Sequence, residues 1–268
     1  MTVFADSSLL RRGSASGHRS SAPLRVTVVV PTRNEAENLP HVLPRIPSWV
    51  SEIILVDGNS TDKTVEVARA LIPDIVVVMQ SGKGKGNALR AGFEAATGDI
   101  IVMIDAEGST DPEEMGMFVR HLRSGADFVK GSRFLQGAGT SDMTGLRMWG
   151  NKGLTMLVNM LFGGHYSDLC YGYNAFWRDV LPVLQLDADG FEIETMMNIR
   201  ALRAHLNIIE VHSFEADRIH GQSNLRTFPD GWRVLKTIIG ERLRGQPRLM
   251  PAKATSGIPR LSGKPSEL

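Results

Sequence analysis

Ile100-Ile-Val-Met-Ile-Asp-Ala-Glu-Gly-Ser-Thr-Asp-Pro112 decides how the rest of the chain is read. Five apolar residues in a short bounded run predict a buried strand over Ile100–Ile104. Polarity then switches at Asp105 and Glu107, where a strand end meets solvent. Pro112 suits a first helical turn, and Glu113 and Glu114 behind it favour the positive end of a helix dipole. A helix over Pro112–Leu122 follows.

The same alternation extends in both directions. Val26–Val30 is an almost purely β-branched run ending at Pro31. Glu35–Ile46 is mixed, with Pro40 and Pro44 interrupting it. Strands are predicted at Ile53–Val56, Ile75–Met79 and Ala126–Lys130, and helices at Thr64–Leu71 and Gly86–Ala96. Short apolar strands alternating with helices imply a parallel sheet covered on both faces. The second half differs: helices at Leu146–Phe162, Glu192–Ala204 and 230–244, with strand patterns at Cys170–Trp177 and Leu206–Phe214. Ligands of open α/β sheets bind beyond the carboxyl ends of the strands. Acidic and polar clusters stand at those ends: Asn34-Glu35, Asp57 to Asp62, and Asp105-Ala-Glu107.

Bulk composition narrows the classes. The chain has 268 residues, enough for one large domain. Its net charge of +1 speaks against a general nucleic-acid binder. The single cysteine, Cys170, excludes an internal disulfide and suits a reducing cytosol. No window reaches the roughly 18 consecutive apolar residues of a membrane-spanning helix, and the N-terminus lacks the apolar core of a secretory signal. A cytoplasmic protein is expected. Residues 1–24 and 247–268 lack apolar period and read as disordered tails around a domain at 25–246.

Asp105 and Glu107 are the sharpest chemical signal. Two hard carboxylates at i and i+2 can converge on Mg²⁺ or Mn²⁺ where the chain bends. A solvated turn before a helix cap at Thr110 or Asp111 is the plain alternative. Asp57 can accept from a base or ribose, while Asp62 reads equally well as a helix cap. Gly82-Lys-Gly-Lys-Gly86 opens a helix and suits an anion at its N-terminus, though it is not a Walker loop. Lys85 of that loop joins the donor-binding set. Arg133, Arg147 and Arg218 each lie near Gly or Ser, where a planar guanidinium can clamp phosphate. No H-E-x-x-H or G-x-S-x-G pattern is present. His220 reads as structural.

In order along the chain, Val30-Pro-Thr-Arg-Asn-Glu35, Val56-Asp-Gly-Asn-Ser-Thr-Asp-Lys-Thr64, Gly84-Lys-Gly-Asn-Ala-Leu89, Asp105-Ala-Glu-Gly-Ser-Thr-Asp-Pro112, Gly131-Ser-Arg133, Asp168-Leu-Cys-Tyr-Gly-Tyr-Asn-Ala-Phe176 and Arg218-Ile-His-Gly-Gln-Ser223 resemble the family 2 glycosyltransferases, in particular the dolichyl- or polyprenyl-phosphate sugar synthases. The resemblance implies a GT-A fold with a mostly parallel central sheet, a nucleotide-sugar donor, and inversion at the anomeric carbon. It implies that Pro31, Asn34, Glu35 and Asp57 hold base and ribose. It gives the metal to Asp105 and Glu107 with Ser109 assisting, and the donor diphosphate or acceptor phosphate to Arg133, Arg147 and Arg218. Three positions depart from the pattern. Glu107 stands where Asp is usual, Ser109 where Gln is frequent, and Asn224 where the branch carries Lys.

A polyprenyl phosphate acceptor would need no general base. A soluble sugar or natural-product hydroxyl would need a carboxylate, with Asp168 preferred over Glu192 and Glu194. A nucleotidyltransferase would want a Gly-rich basic loop after the first strand, where Pro31-Thr-Arg-Asn-Glu35 stands instead. A non-catalytic nucleotide-sugar binding module would not need both Asp105 and Glu107. Lastly, Trp232, Leu235, Ile239 and Leu243 recur at helical spacing beside Val234 and Ile238, with Arg233, Lys236, Arg242 and Arg244 around them. That stripe either packs on the core or rests on the inner face of an anionic membrane as a peripheral contact.

Overall fold

The computed structural model describes residues 23–222 and 225–244. Nearly all of both expected tails, and the departure at Asn224, lie outside the described residues. Leu24, assigned to the first tail, packs against the core instead.

In chain order the elements are β1 (Val26–Thr32), α1 (Leu39–Val42), β2 (Glu52–Asp57), α2 (Thr64–Leu71), β3 (Val76–Met79), α3 (Lys85–Ala95), β4 (Ile100–Met103), α4 (Met115–Arg123), β5 (Phe128–Ser132), β6 (Gly139–Thr140), α5 (Gly145–Phe162), β7 (Asn174–Trp177), α6 (Leu181–Leu184), α7 (Glu192–Arg203), β8 (Ile208–His212), β9 (Phe214–Glu215) and α8 (Thr227–Leu243). Pro40 and Pro44 reduce the mixed stretch after β1 to the single turn of α1 and a 3-10 turn at Leu43–Arg45. Pro112–Glu114 is likewise a 3-10 turn, leading into α4. Asp111 caps it by accepting from Glu113 N at 2.9 Å.

Seven strands form one sheet in the order β3-β2-β1-β4-β7-β5-β8. All pairings are parallel except those of β7, which runs antiparallel between β4 and β5. The sheet is thus mostly parallel, as expected, with β7 its one antiparallel strand. The consequence is functional. Met103, the last residue of β4, pairs with Asn174, the first of β7. The segment before β7 is therefore delivered to the carboxyl end of β4, beside Asp105. The strand expected at Cys170–Trp177 begins only at Asn174, because side chains take its earlier backbone groups. Asn151 Oδ1 accepts from Cys170 N (3.1 Å), and Asn174 Nδ2 donates to Tyr171 O (3.2 Å).

The main core lies on both faces of this sheet. Helix α3 packs closely on the sheet at Gly92, where a Cβ would stand 2.4 Å from Val29 Cγ1. A second, smaller core gathers α5, α7 and α8 around Val158, Tyr166, Leu169, Ile199, Val234 and Ile238. Among the described residues no helix is long and apolar enough to cross a membrane.

Candidate active site

A cleft of about 720 Å³ opens beyond the carboxyl ends of β1, β2 and β4 and is closed on its far side by α5 and α8. The Asp105 turn, the Gly-rich loop and Arg218 meet there although they are far apart in sequence. Lys85 Nζ lies 2.6 Å from Asp105 Oδ1 and 2.7 Å from Glu194 Oε1. Arg218 Nη2 pairs with Glu107 Oε2, and its Nη1 lies 3.4 Å from Glu35 Oε1. Four acids and two cations thus share one cleft wall.

Burial and the neighbouring Asp105 charge push Glu107 up to about 7, against the pull of Arg218 and Lys85. Burial also raises Glu35, although Asn38 Nδ2 donates to its Oε2 at 2.6 Å and Arg218 is near. Lys85 moves the other way. Burial alone would lower it, but Asp105 and Glu194 outweigh that and hold the ammonium charged. Packing this cluster requires glycine at 172. A Cβ there would lie 2.6 Å from Asp105 Oδ2, 2.9 Å from Lys85 Nζ and 3.0 Å from Glu194 Oε1.

At the β2 end, Asp57 is buried. Its Oδ2 accepts from Ser60 N at 3.0 Å, while Oδ1 has no hydrogen-bond partner. An unpaired buried carboxylate oxygen is costly, although Asp57 itself does not line the cleft. Pro31, Gly58 and Asn59 line the cleft beside it. Asn34 lies outside that lining and staples two loops. Its Oδ1 accepts from Thr61 N at 2.8 Å, and its own N–H donates to Ser60 Oγ. Asp62 accepts from Thr64 N (3.0 Å) and Ala36 N (3.1 Å), which makes it a structural cap.

Several sequence expectations are corrected by this geometry. Asp168 is fully buried and does not line the cleft. Its carboxylate accepts from Arg133 Nε (2.7 Å), Arg133 Nη2 (2.9 Å), Arg133 N (3.2 Å) and Asn151 Nδ2 (2.8 Å). Burial would raise its pKa, but the Arg133 hydrogen bonds and charge hold it below the ordinary carboxylate value. A carboxylate so placed is no general base. Arg133 touches the cleft wall, yet its guanidinium is spent on Asp168, Glu215 (3.0 Å) and Cys170 O (3.2 Å). It braces the wall, with Nε, Nη1 and Nη2 each held by a protein acceptor. Ser109 is buried behind Glu107, donating to Glu107 Oε1 at 3.3 Å, so it orients that acid rather than reaching the cleft.

The Gly-rich loop is also reassigned. Gly86 N and Asn87 N both donate to Asp189 O, at 2.8 and 3.2 Å. At the N-terminus of α3 the Asp189 carbonyl thus takes two of the N–H groups that an anion would use. Gly84 (φ +93°) and Gly86 are required because a Cβ would meet Asp189 O at 2.3 Å and Ala188 O at 2.4 Å. Only Lys85 of this loop projects to the acids. Arg147 lines the cleft from α5 and donates to Leu225 O at 3.1 Å.

Sequence reading missed Gly172 and Glu215, and it weighed Glu194 only as a base. Glu215 is fixed by the short pairing of β6 with β9 and accepts from Thr140 Oγ1 at 2.6 Å. Among the described residues no group of three or more His, Cys, Asp or Glu side chains is arranged to hold a metal. Asp105 and Glu107 would supply hard oxygen donors, with the remaining ligands left to water and substrate.

The chain matches the family described as Glycosyl transferase family 2 over residues 27–184. It is 31% identical over 221 residues to the low-salt glycan biosynthesis hexosyltransferase Agl6 of Haloferax volcanii, covering 80% of this chain and 53% of that protein. It spans only about half of that relative's length. It is also 31% identical over 214 residues to the polyprenol monophosphomannose synthase of Mycolicibacterium smegmatis, covering 75% of this chain and 81% of the relative. Among solved structures, glucosyl-3-phosphoglycerate synthase from Mycobacterium tuberculosis, in complex with Mn²⁺, UDP and glucosyl-3-phosphoglycerate, superposes with a TM-score of 0.64. The two are 23% identical, and the match covers 84% of this chain and 86% of that one.

Proposed function

The chain belongs to glycosyl transferase family 2 and has a GT-A-like α/β fold, and from that premise we propose that it transfers a hexose from a UDP- or GDP-sugar to a polyprenyl phosphate with inversion at the anomeric carbon. The observation that carries the reading is the pairing of Asp105 and Glu107 with the cleft cations Lys85 and Arg218. The acids already attract positive charge, and the cations are held where phosphates would replace the acids as partners.

Asp105 and Glu107 would hold a Mg²⁺ or Mn²⁺ ion. Such an ion, when bound, neutralises charge developing on the diphosphate leaving group. Lys85 and Arg218 would turn to diphosphate oxygens, and Arg147 to the acceptor phosphate. In one in-line displacement, an acceptor phosphate oxygen bonds to the anomeric carbon while the bond to the nucleotide diphosphate breaks on the opposite face. No proton needs to be removed from an anionic acceptor. The reading agrees with the loss of Asp168 as a base, on which the hydroxyl-acceptor alternative chiefly relied. The relative from Mycolicibacterium smegmatis is named as a polyprenol monophosphomannose synthase, which supports the same acceptor class.

The test is a screen of UDP- and GDP-sugars with Mn²⁺ and detergent-solubilised polyprenyl phosphate. The expected result is one labelled lipid-phosphate sugar of inverted configuration and release of the matching nucleoside diphosphate. Transfer to soluble hydroxyl acceptors with none to the lipid phosphate would overturn the acceptor assignment.

A further inference from the structure

The apolar stripe predicted on α8 does not pack on the core. Val234 and Ile238 point inward, whereas Trp232 and Ile239 are exposed and Leu243 is 80% exposed. Phe228, one turn before Trp232, is 76% exposed. The neighbouring α5 repeats the arrangement. Asn151, Thr155 and Val158 face inward, while Trp149 (75%), Met156 (68%) and Met160 (70%) are bare. Both helices pack over the second core and against each other, so their outward faces adjoin.

Charge on these faces has one sign. Helix α5 contains no acid at all. The two acids of α8, Asp230 and Glu241, are both buried, and Glu241 is taken by Arg200 at 2.7 Å and Arg203 at 2.9 Å. The exposed charges are Lys152 on α5, and Arg233, Lys236, Arg242 and Arg244 along α8 and its end. Each tryptophan carries a lysine ammonium over its ring: Lys152 lies 5.7 Å from the Trp149 ring and Lys236 lies 5.6 Å from the Trp232 ring. Apolar bodies with basic margins and aromatic rings suit the boundary between lipid headgroups and acyl chains. A second copy of this chain would bring like charge against like charge.

The patch is continuous with the cleft. Leu146, Arg147 and Gly150 of α5 and Thr227, Gly231 and Val234 of α8 line the cleft from these same two helices. We infer that α5 and α8 together form a docking platform for a bilayer surface bearing anionic headgroups, setting the cleft mouth at the lipid boundary. An acceptor with an apolar tail and a phosphate head could then enter without leaving the membrane. The platform deepens the lipid-acceptor reading above and rests on it.

The experiment is co-sedimentation of the full chain with phosphatidylcholine vesicles and with vesicles that also contain phosphatidylglycerol. Binding to the anionic vesicles at low salt is expected, weakening as salt rises. The double variant Trp149→Glu/Trp232→Glu should lose about tenfold or more in partitioning, with its thermal unfolding and nucleotide binding intact. Neither tryptophan lines the cleft, so transfer to detergent-solubilised acceptor should persist in the variant, separating this inference from the acceptor assignment. Lack of binding to anionic vesicles at low salt, or binding unchanged in the double variant, would overturn the platform. So would a concentration-dependent dimer of the wild type that the variant abolishes.

Discussion

Arg133 and Asp168 form a doubly hydrogen-bonded ion pair inside the protein, with Nε to Oδ2 at 2.7 Å and Nη2 to Oδ1 at 2.9 Å. The pair ties the end of β5 to the loop that leads into β7, and so fixes the wall behind the cleft. Removing one partner strands a buried charge. Arg133→Ala should therefore destabilise the fold by about 3–5 kcal/mol, measured by denaturant unfolding. Full stability with lost activity would contradict the bracing role.

The same pair has a pH signature. Asp168 is held below the ordinary carboxylate value because the Arg133 contacts outweigh burial. In the window beneath an unfolded pKa of about 3.9, the unfolded chain binds the extra proton, so stability climbs with pH. The pair's contribution is complete above that value and is lost as pH falls through the depressed folded value. Asp168→Asn should be less stable at neutral pH and lose part of the acid limb of the stability curve. An unchanged acid limb would show that Asp168 is not the group involved.

Gly172→Ala probes the ion cluster without removing any charge. The new Cβ would crowd Asp105, Lys85 and Glu194 at once. Because those atoms are side-chain ends, they can shift and the fold should survive. Misplacing them should lower kcat by roughly tenfold to a hundredfold. Wild-type kinetics with a normal melting temperature would remove the cluster from the chemistry.

Arg218→Ala deletes the cation that faces Glu107 and Glu35. Loss of a charge-assisted phosphate contact should cost about 1.5–3 kcal/mol in kcat/KM. Arg218→Lys should recover part of it. Equal kinetics for Arg218→Ala and the wild type would place this residue outside the donor site.

Lys85→Met separates the two partners of Asp105. The ammonium at 2.6 Å competes with any second cation at that carboxylate. Its removal should tighten Mn²⁺ binding to the nucleotide-free protein and weaken nucleoside diphosphate binding. Calorimetry of each ligand reads both effects, and movement of both in the same direction would contradict the competition.

The half of the sheet from β1 to β5 was legible because each strand is a short apolar run with a polar break behind it. Glu35, Asp105 and Glu107 were legible for the same reason, since they stand at the breaks, whereas Glu194 lies in the first turn of α7 and Glu215 in β9. Strand order was not. Nothing in the periodicity of Asn174–Trp177 says that β7 inserts antiparallel between β4 and β5. Partners distant in sequence were equally hidden. Arg133 meets Asp168 across 35 positions, and the Gly-rich loop meets a backbone carbonyl at Asp189. A glycine that admits backbone and one that admits phosphate read alike. On α8 two apolar stripes lie side by side, and only the fold decides that Val234 and Ile238 face inward while Trp232 faces out.

The most direct test of the central claim is calorimetric binding of UDP and GDP to the wild type and to Asp105→Asn, each with and without Mn²⁺. The account predicts that Mn²⁺ strengthens binding of one nucleotide to the wild type by about tenfold or more, and that Asp105→Asn abolishes the gain. Nucleotide binding indifferent to Mn²⁺, or an equal gain in the variant, would contradict it.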